Sequence, residues 1–106
     1  MKRDIFQAIS DPTRRAIIVL IALQPMTPNA IAENFSISRQ AVSKHLQVLT
    51  ECEIVRREQR GREIYYWLEL ERMKDIDNWI AQFRRLWETR FDNLDGVLET
   101  MKNRKS

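Results

Sequence analysis

The chain has 106 residues, of which 43% are hydrophobic and 31% charged, with a formal net charge of +3. This balance is typical of one folded domain spanning residues 1–106, and it excludes a disordered chain. The longest apolar run, residues 16–23, is far below the ~18 residues of a membrane span. The N-terminus also lacks the apolar core of a signal peptide. We therefore expect a cytoplasmic protein that has no membrane partner.

Three short helices are predicted in the first 35 residues. The apolar residues at positions 5, 6 and 9 have the spacing of a short amphipathic helix. A capping residue followed by proline occurs twice, as Asp-Pro at 11–12 and as Thr-Pro at 27–28. Each pair marks a helix start, because the cap accepts from an unpaired N–H and proline has none to satisfy. The second helix should run to about residue 23 and the third to about residue 35.

A fourth helix, over about residues 38–50, carries two chemically different faces. Val42, Leu46 and Leu49 recur at i, i+4 and i+7 and form an apolar face. The other face carries serine, lysine and glutamine, and no acidic residue occurs from position 35 to 50. Such side chains donate to phosphates and base edges, whereas phosphates repel carboxylates. Short helix, tight turn and second helix together predict a helix-turn-helix whose second helix enters the DNA major groove.

A β-hairpin is predicted over about residues 54–69, where the hydrophobic period changes from helical to about two. Gly61 lies between the two alternating runs, as in a hairpin turn. A hairpin with a basic tip directly after a helix-turn-helix is a wing. Arg60 and Arg62 flank the glycine, where they can reach phosphate or a minor groove.

The last segment, about residues 71–102, predicts a long amphipathic helix. Its apolar residues step by threes and fours, near the 3.5 spacing of a coiled-coil seam. About 30 helical residues span ~45 Å, whereas a compact domain of this size has a radius of gyration near 13 Å. The apolar side of so long a helix cannot be buried by this small domain alone. The simplest partner that could bury it is another copy of the chain. Gly96 weakens the helix and leaves open a kink or an end near position 95.

Three segments resemble the ArsR family of bacterial winged-helix repressors: ISDPTRRAII, AVSKHLQVL and REQRGREIYYWL. The tail WIAQFRRLWETRFDNLDGVLE resembles members that lack metal sites. The resemblance implies a mainly α fold with a small β-hairpin wing, in the order α-α-α-α-β-β-α, with a winged helix-turn-helix over about residues 1–90. It also implies a homodimer through the first and last helices. The interface residues so predicted are Ile5, Phe6, Ile9, Ile76, Trp79, Ile80, Phe83, Trp87 and Phe91.

The fourth helix, over about residues 38–50, is the one predicted to read the DNA sequence, and we call it the reading helix. This helix and the wing supply the predicted contacts with double-stranded DNA. The predicted DNA-binding residues are Ser38, Arg39, Gln40, Ser43, Lys44, His45, Arg60 and Arg62. His45 lies close to the apolar boundary, so packing alone is its alternative role. For the two wing arginines the alternative is a solubilising turn. A winged helix that binds protein is the second interpretation of the whole chain, although such a module needs no carboxylate-free face.

The sequence departs from the metal-sensing pattern of the family. Alignment through AVSKHL puts Met26 and Pro28 where metal sensors carry Cys-x-Cys, and neither is a thiolate ligand. Asp75 and Asp77 are present on the last helix, but the only histidine of the chain is His45. We therefore expect no metal and no cofactor.

A second departure lies in TECEIV, where the family usually has Ala-Gly-Leu-Val. Glu53 takes the glycine position, which follows a helix and usually has left-handed backbone. The sequence therefore predicts Glu53 with a positive φ, at a cost of ~1 kcal/mol.

The single cysteine, Cys52, permits no intramolecular disulfide, and a semi-buried structural role is the favoured interpretation. A thiol sensor is the alternative for Cys52. For the aromatic residues of the last helix, packing is favoured and an effector pocket between the subunits is the alternative; these residues are Trp79, Phe83, Trp87 and Phe91. The effector is not readable from the sequence. No enzyme is expected, because no catalytic motif is visible and Cys52 lies ~10 Å along a helix from His45. The predicted function is a homodimeric repressor that binds an inverted-repeat operator without metal sensing.

Overall fold

The computed structural model describes residues 4–104. The elements follow in the order α1 Ile5–Ala8, α2 Pro12–Leu23, α3 Pro28–Asn34, α4 Arg39–Glu51, β1 Val55–Arg60, β2 Glu63–Leu68 and α5 Met73–Arg104. This order confirms the predicted winged helix-turn-helix. The chain divides into two compact units, one ending at Ile76 and one beginning at Asp77. The assignment of residues 1–106 to a single domain stays a prediction.

Helices α2, α3 and α4 begin where local side-chain chemistry predicts. The side chains of Asp11, Thr27 and Ser38 each accept a hydrogen bond from the backbone N–H three residues later, at 3.0, 3.2 and 3.1 Å. Each bond satisfies an N–H that has no partner inside the helix. The Ser38 hydroxyl therefore helps to fix the start of α4, the reading helix, at Arg39.

The core of the first unit fixes which side of α4 faces outward. The predicted apolar face of α4 is almost fully buried: Val42 is 0%, Leu46 1% and Leu49 0% exposed. These side chains join a cluster with Ile17, Ile21 and Ile31 from α2 and α3. Burying one such side chain stabilises the fold by roughly 1.5–3 kcal/mol, so α4 cannot rotate without a large loss of stability.

Two arginines of α2 hold the C-terminal end of α1. The Arg14 guanidinium donates to the carbonyl of Ala8 at 3.3 Å and to that of Gln7 at 2.8 Å. Arg15 donates to the carbonyl of Ile9 at 2.6 Å. Because the last carbonyls of a helix have no intrahelical partner, these bonds attach α1 to α2 and explain both arginines of the DPTRR motif.

The end of α4 confirms the expectation for Glu53, whose φ is +59°. The N–H of Ile54 donates to the carbonyl of Leu49 at 3.2 Å, and the N–H of Glu53 donates to that of Thr50 at 3.0 Å. This pair of bonds is the Schellman arrangement, which requires one left-handed residue. The turn directs Ile54, 0% exposed, back into the core.

The wing is the antiparallel hairpin of β1 and β2, with Arg60 paired to Glu63 across a two-residue turn. Gly61 opens that turn with φ +64°, a conformation that costs glycine nothing. Near its base the hairpin is tied to the loop before α3, because Met26 and Tyr66 exchange two backbone hydrogen bonds of 3.0 and 2.8 Å. The wing and the helix-turn-helix are therefore joined by main-chain bonds.

Helix α5 continues through Gly96 to Arg104 without a break. In the second unit its large apolar residues are 37–63% exposed, and we call this set the α5 ridge. The ridge consists of Trp79, Ile80, Phe83, Leu86, Trp87, Phe91, Leu94, Val97, Leu98 and Met101. Within it, the rings of Trp79 and Phe83 meet edge to face at 4.8 Å. No helix of the described residues is both long and apolar enough to cross a membrane.

Four of the predicted interface residues lie in the first unit and not in the α5 ridge: Ile5, Phe6, Ile9 and Ile76. Ile5 and Ile76 are 5% and 6% exposed and belong to the core of this chain. Little of either side chain is therefore left for a partner. Phe6 and Ile9 are half-buried against the same core. An amphipathic pattern shows that a face is covered but not by which chain, and the place of Ile5 and Ile76 in a dimer interface stays a prediction.

Candidate nucleic-acid interface

The exposed side of α4 carries a compact set of hydrogen-bond donors. Arg39, Gln40, Ser43 and Lys44 are exposed and line one shallow depression of the surface. The structure thus brings together four of the residues predicted to bind DNA. We call these four residues the reading face. Their spacing over the first turn and a half of α4 suits the end of a helix that meets base edges in a major groove.

The predicted site residue Ser38 has a structural role at the edge of the reading face. Its Oγ accepts the Ala41 N–H at 3.1 Å, and its carbonyl accepts the Val42 N–H at 3.1 Å. The hydroxyl hydrogen stays available, since a serine side chain both donates and accepts. Ser38 can therefore cap the helix and donate to a phosphate at the same time.

His45 lies at the boundary of the reading face and not at its centre. Its side chain is 22% exposed, and Nδ1 is 3.9 Å from Oδ2 of Asp11. The Arg14 backbone N–H donates to the same carboxylate and, together with the nearby imidazole, holds the pKa of Asp11 below its ordinary value. The sequence pattern did not predict this link, because 34 residues separate the two groups and no local spacing signals it.

On the wing, Arg60 is engaged within its own hairpin. Its Nη2 lies 3.3 Å from Oε2 of Glu58, and its guanidinium carbon is 5.2 Å from the centre of the Tyr65 ring. The Tyr65 hydroxyl in turn donates to Glu63 at 3.1 Å, and that hydrogen bond raises the pKa of the phenol. The charge of Arg60 is therefore partly offset before any DNA arrives.

Arg62 differs from Arg60. It is exposed in the turn beside Gly61, and no carboxylate of the described residues is within ion-pair distance of it. At the base of the wing, Arg56 is paired with Glu69. Of the two arginines that flank Gly61, Arg62 is thus the one whose charge is more available to a phosphate.

In residues 4–104, no three His, Cys, Asp or Glu side chains are grouped closely enough to hold a metal ion. Cys52 is 0% exposed, and its thiol donates to the backbone carbonyl of Asp4 at 3.3 Å. The cysteine is more deeply buried than the sequence pattern predicted, and it connects the end of α4 to the start of α1.

Comparison with known proteins places this geometry in a family. A helix-turn-helix domain profile matches residues 9–58. The chain is 41% identical over 80 residues to the transcriptional repressor SdpR of Bacillus subtilis, covering 76% of this chain and 89% of that protein. The chain belongs to the ArsR family. It is therefore a transcriptional regulator with a DNA-binding winged helix-turn-helix.

Solved structures of ArsR family regulators share the fold. A crystal structure of one superposes with a TM-score of 0.70 at 32% identity, covering 79% of this chain and 92% of that one. An ArsR-like transcriptional regulator from Rhodococcus sp. RHA1 gives a TM-score of 0.68 at 27% identity over 88% of both chains. The likeness thus spans more than three quarters of this chain in both cases.

Proposed function

We propose that the protein is a homodimeric repressor that binds an inverted-repeat operator and does so without a metal ion. The observation that carries the proposal is the reading face. Four donor side chains project from one side of α4 while the opposite side is locked in the core. In the proposal each subunit inserts α4 into a major groove, and Arg62 contacts the backbone beside it. The Bacillus relative is named a transcriptional repressor, which supports the direction of regulation.

The α5 ridge supports the homodimer. Its ten apolar side chains are all more than a third exposed in the single chain, and so long an apolar surface is typical of a protein interface. Two-fold symmetry in the protein implies half-sites about one helical turn apart, ~10–10.5 bp or a multiple. The absence of thiolates at Met26 and Pro28 supports DNA binding without metal sensing.

The test is selection from a random duplex library, followed by anisotropy titration of the enriched duplex at several salt concentrations with and without a chelator. We expect an inverted repeat that the protein binds at least ~10³-fold more tightly than random DNA. Substituting Ser43→Ala and Lys44→Ala together should abolish that preference. Thr89→Ala with Lys74→Ala removes a hydroxyl and an ammonium group outside both the reading face and the α5 ridge, and serves as the matched control.

The outcomes separate the two candidate functions. If no sequence is enriched and binding stays at the level of random DNA, the repressor proposal fails and a protein partner for the winged helix is favoured. If an operator is enriched but binding requires added metal, only the metal-independent part of the proposal fails.

A further inference from the structure

A cavity of about 510 Å³ lies at the base of the wing, and we call it the wing-base cavity. Its walls come from the end of α4, from both strands of the hairpin and from the segment between β2 and α5. Small-molecule sites have volumes of roughly 300–1,000 Å³, so the cavity is large enough for a ligand. None of the residues of the reading face lines it. The polar and aromatic side chains of its walls include Thr50, Arg56, Arg57, Trp67, Glu69 and Arg72.

The walls of the wing-base cavity offer hydrogen-bond donors that the protein itself does not use. Among the described residues, no carboxylate pairs with the exposed guanidinium of Arg57, and no acceptor receives the indole N–H of Trp67. Nε of Arg72 is buried and has no hydrogen-bond partner in the same part of the chain. Because a buried donor without a partner destabilises the protein, a ligand that suits these walls supplies acceptors.

The charges of the walls favour an anion. The lining contains three arginines and two glutamates, and the charges of Arg56 and Glu69 offset each other in an ion pair. The guanidinium of Arg72 is 3.4 Å from the Asp75 carboxylate and 3.4 Å from the Cys52 carbonyl. Contacts of this length are weak hydrogen bonds, so the group can turn toward an incoming anion at little cost.

An aromatic wall completes the wing-base cavity. Trp67 is half-buried and is the cross-strand partner of Arg56. Its indole presents a flat apolar surface on which another aromatic ring can stack. The arginine fork matches the two oxygens of a carboxylate in one plane. Together these walls fit a flat ring that carries one carboxylate.

We infer that the wing-base cavity binds a small aromatic carboxylate and that this ligand weakens binding to the operator. The carboxylate accepts hydrogen bonds from Arg57 and Arg72, and the ring lies against Trp67. The regulatory part of the inference rests on the proposed function, whereas the binding part does not. Thr50 belongs to the reading helix and Arg57 to the wing, so a ligand in contact with both holds one relative to the other. Its negative charge also repels the phosphates of DNA.

Calorimetry on the free protein tests the binding part, with 2-naphthoate as the probe. The two control probes are 2-naphthamide, which lacks the charge, and acetate, which lacks the ring. We expect 2-naphthoate to bind with a dissociation constant of about 1 mM or tighter and both controls to bind at least about tenfold more weakly. Arg57→Ala should weaken 2-naphthoate at least about tenfold. The matched control is Arg85→Ala, an exposed arginine of α5, which should bind as the wild type does.

Two calorimetric results overturn the inference. One is an affinity for 2-naphthoate no higher than that for 2-naphthamide, which includes the case that neither binds. The other is an Arg57→Ala variant that binds 2-naphthoate as tightly as the wild-type protein does. Arg57→Lys gives a further check, because it keeps the charge and loses the planar fork, and its affinity should lie between those of wild type and Arg57→Ala.

Anisotropy titration of the operator duplex tests the regulatory part, with saturating 2-naphthoate or the same concentration of acetate. We expect 2-naphthoate to lower the operator affinity of the wild-type protein by a factor of roughly 5–150, the usual range of coupling between two sites, and to leave that of Arg57→Ala unchanged. An unchanged wild-type affinity overturns the regulatory part. If Arg57→Ala weakens operator binding without any probe as much as Arg62→Ala does, Arg57 contacts phosphate and the inference is overturned. If no operator is enriched, the proposed function and the regulatory part fail together, whereas calorimetry still decides whether the cavity binds the probe.

Discussion

Oδ2 of Asp11 lies 3.9 Å from Nδ1 of His45, so the cap of α2 and the reading helix share one polar contact. Asp11 also accepts the Arg14 N–H. One carboxylate therefore starts a helix of the core and lies beside the imidazole at the edge of the reading face. Through it, the position of His45 depends on α2 as well as on α4.

Two substitutions at Asp11 distinguish the stabilisation due to its helix cap from the stabilisation due to its charge. Asp11→Ala should lower the melting temperature by several degrees at neutral pH, because the cap is removed, whereas Asp11→Asn keeps a capping oxygen and should lower it less. The folded-state pKa of Asp11 is depressed. Its stabilisation is therefore present above the ordinary pKa and is lost as the pH falls through the folded-state value. Thermal melts at neutral and acidic pH should show the gap between wild type and Asp11→Ala closing in acid. A constant gap would contradict this account.

Lys44→Ala should weaken binding to every duplex by a similar factor, because a lysine that contacts a phosphate carries no sequence information. The slope of log affinity against log salt should flatten by about 0.9 for each phosphate that the variant no longer neutralises. Anisotropy titrations at three or more salt concentrations measure both quantities. Lys74→Ala, at an exposed position paired with Glu71, should change neither, and an unchanged slope in Lys44→Ala would remove Lys44 from the interface.

The two wing arginines should differ in their effect on DNA binding. Arg62→Ala is expected to weaken binding roughly 10- to 150-fold, the effect of removing one hydrogen bond to a charged group. Arg60→Ala should cost less, because Arg60 must leave Glu58 and Tyr65 to reach DNA. Titrating both variants on one operator duplex makes the comparison. A larger effect for Arg60→Ala would show that the hairpin presents Arg60 and not Arg62.

Glu53→Gly should stabilise the protein by up to about 1 kcal/mol, because glycine adopts the left-handed backbone without the Cβ clash. Chemical denaturation measures the change. The control is Glu51→Gly, two residues earlier in helical backbone, which should destabilise the protein by roughly 0.5–1 kcal/mol. If both variants are destabilised alike, the strain at Glu53 is not the dominant effect.

The parts of the fold that depend on neighbouring residues could be read from the sequence. The caps at Thr27 and Ser38 are contacts between a side chain and an N–H three residues later, and a short motif contains both partners. The positive φ of Glu53 could be predicted because the end of a helix and the glycine usual in the family define that position. The reading face could be found for the same reason, since one helical repeat contains it.

The contacts that the sequence could not predict join distant segments. The link between Asp11 and His45 spans 34 residues of sequence and depends on how α2 packs against α4. For Ile5, the spacing predicts burial, which the structure confirms, and it leaves undetermined whether a second chain also contacts the side chain. For Arg60, the sequence showed a cation at the wing tip but not the acid and the ring beside it.

The two hydrogen bonds between Met26 and Tyr66 also bear on the choice of operator. They join the wing to the loop before α3 and so limit how far the hairpin backbone can move relative to the reading face. Much of any mismatch with straight B-form DNA must then be taken up by the duplex. Operators with pyrimidine–purine steps, which bend and unwind at low cost, should be preferred even at base pairs that no side chain touches.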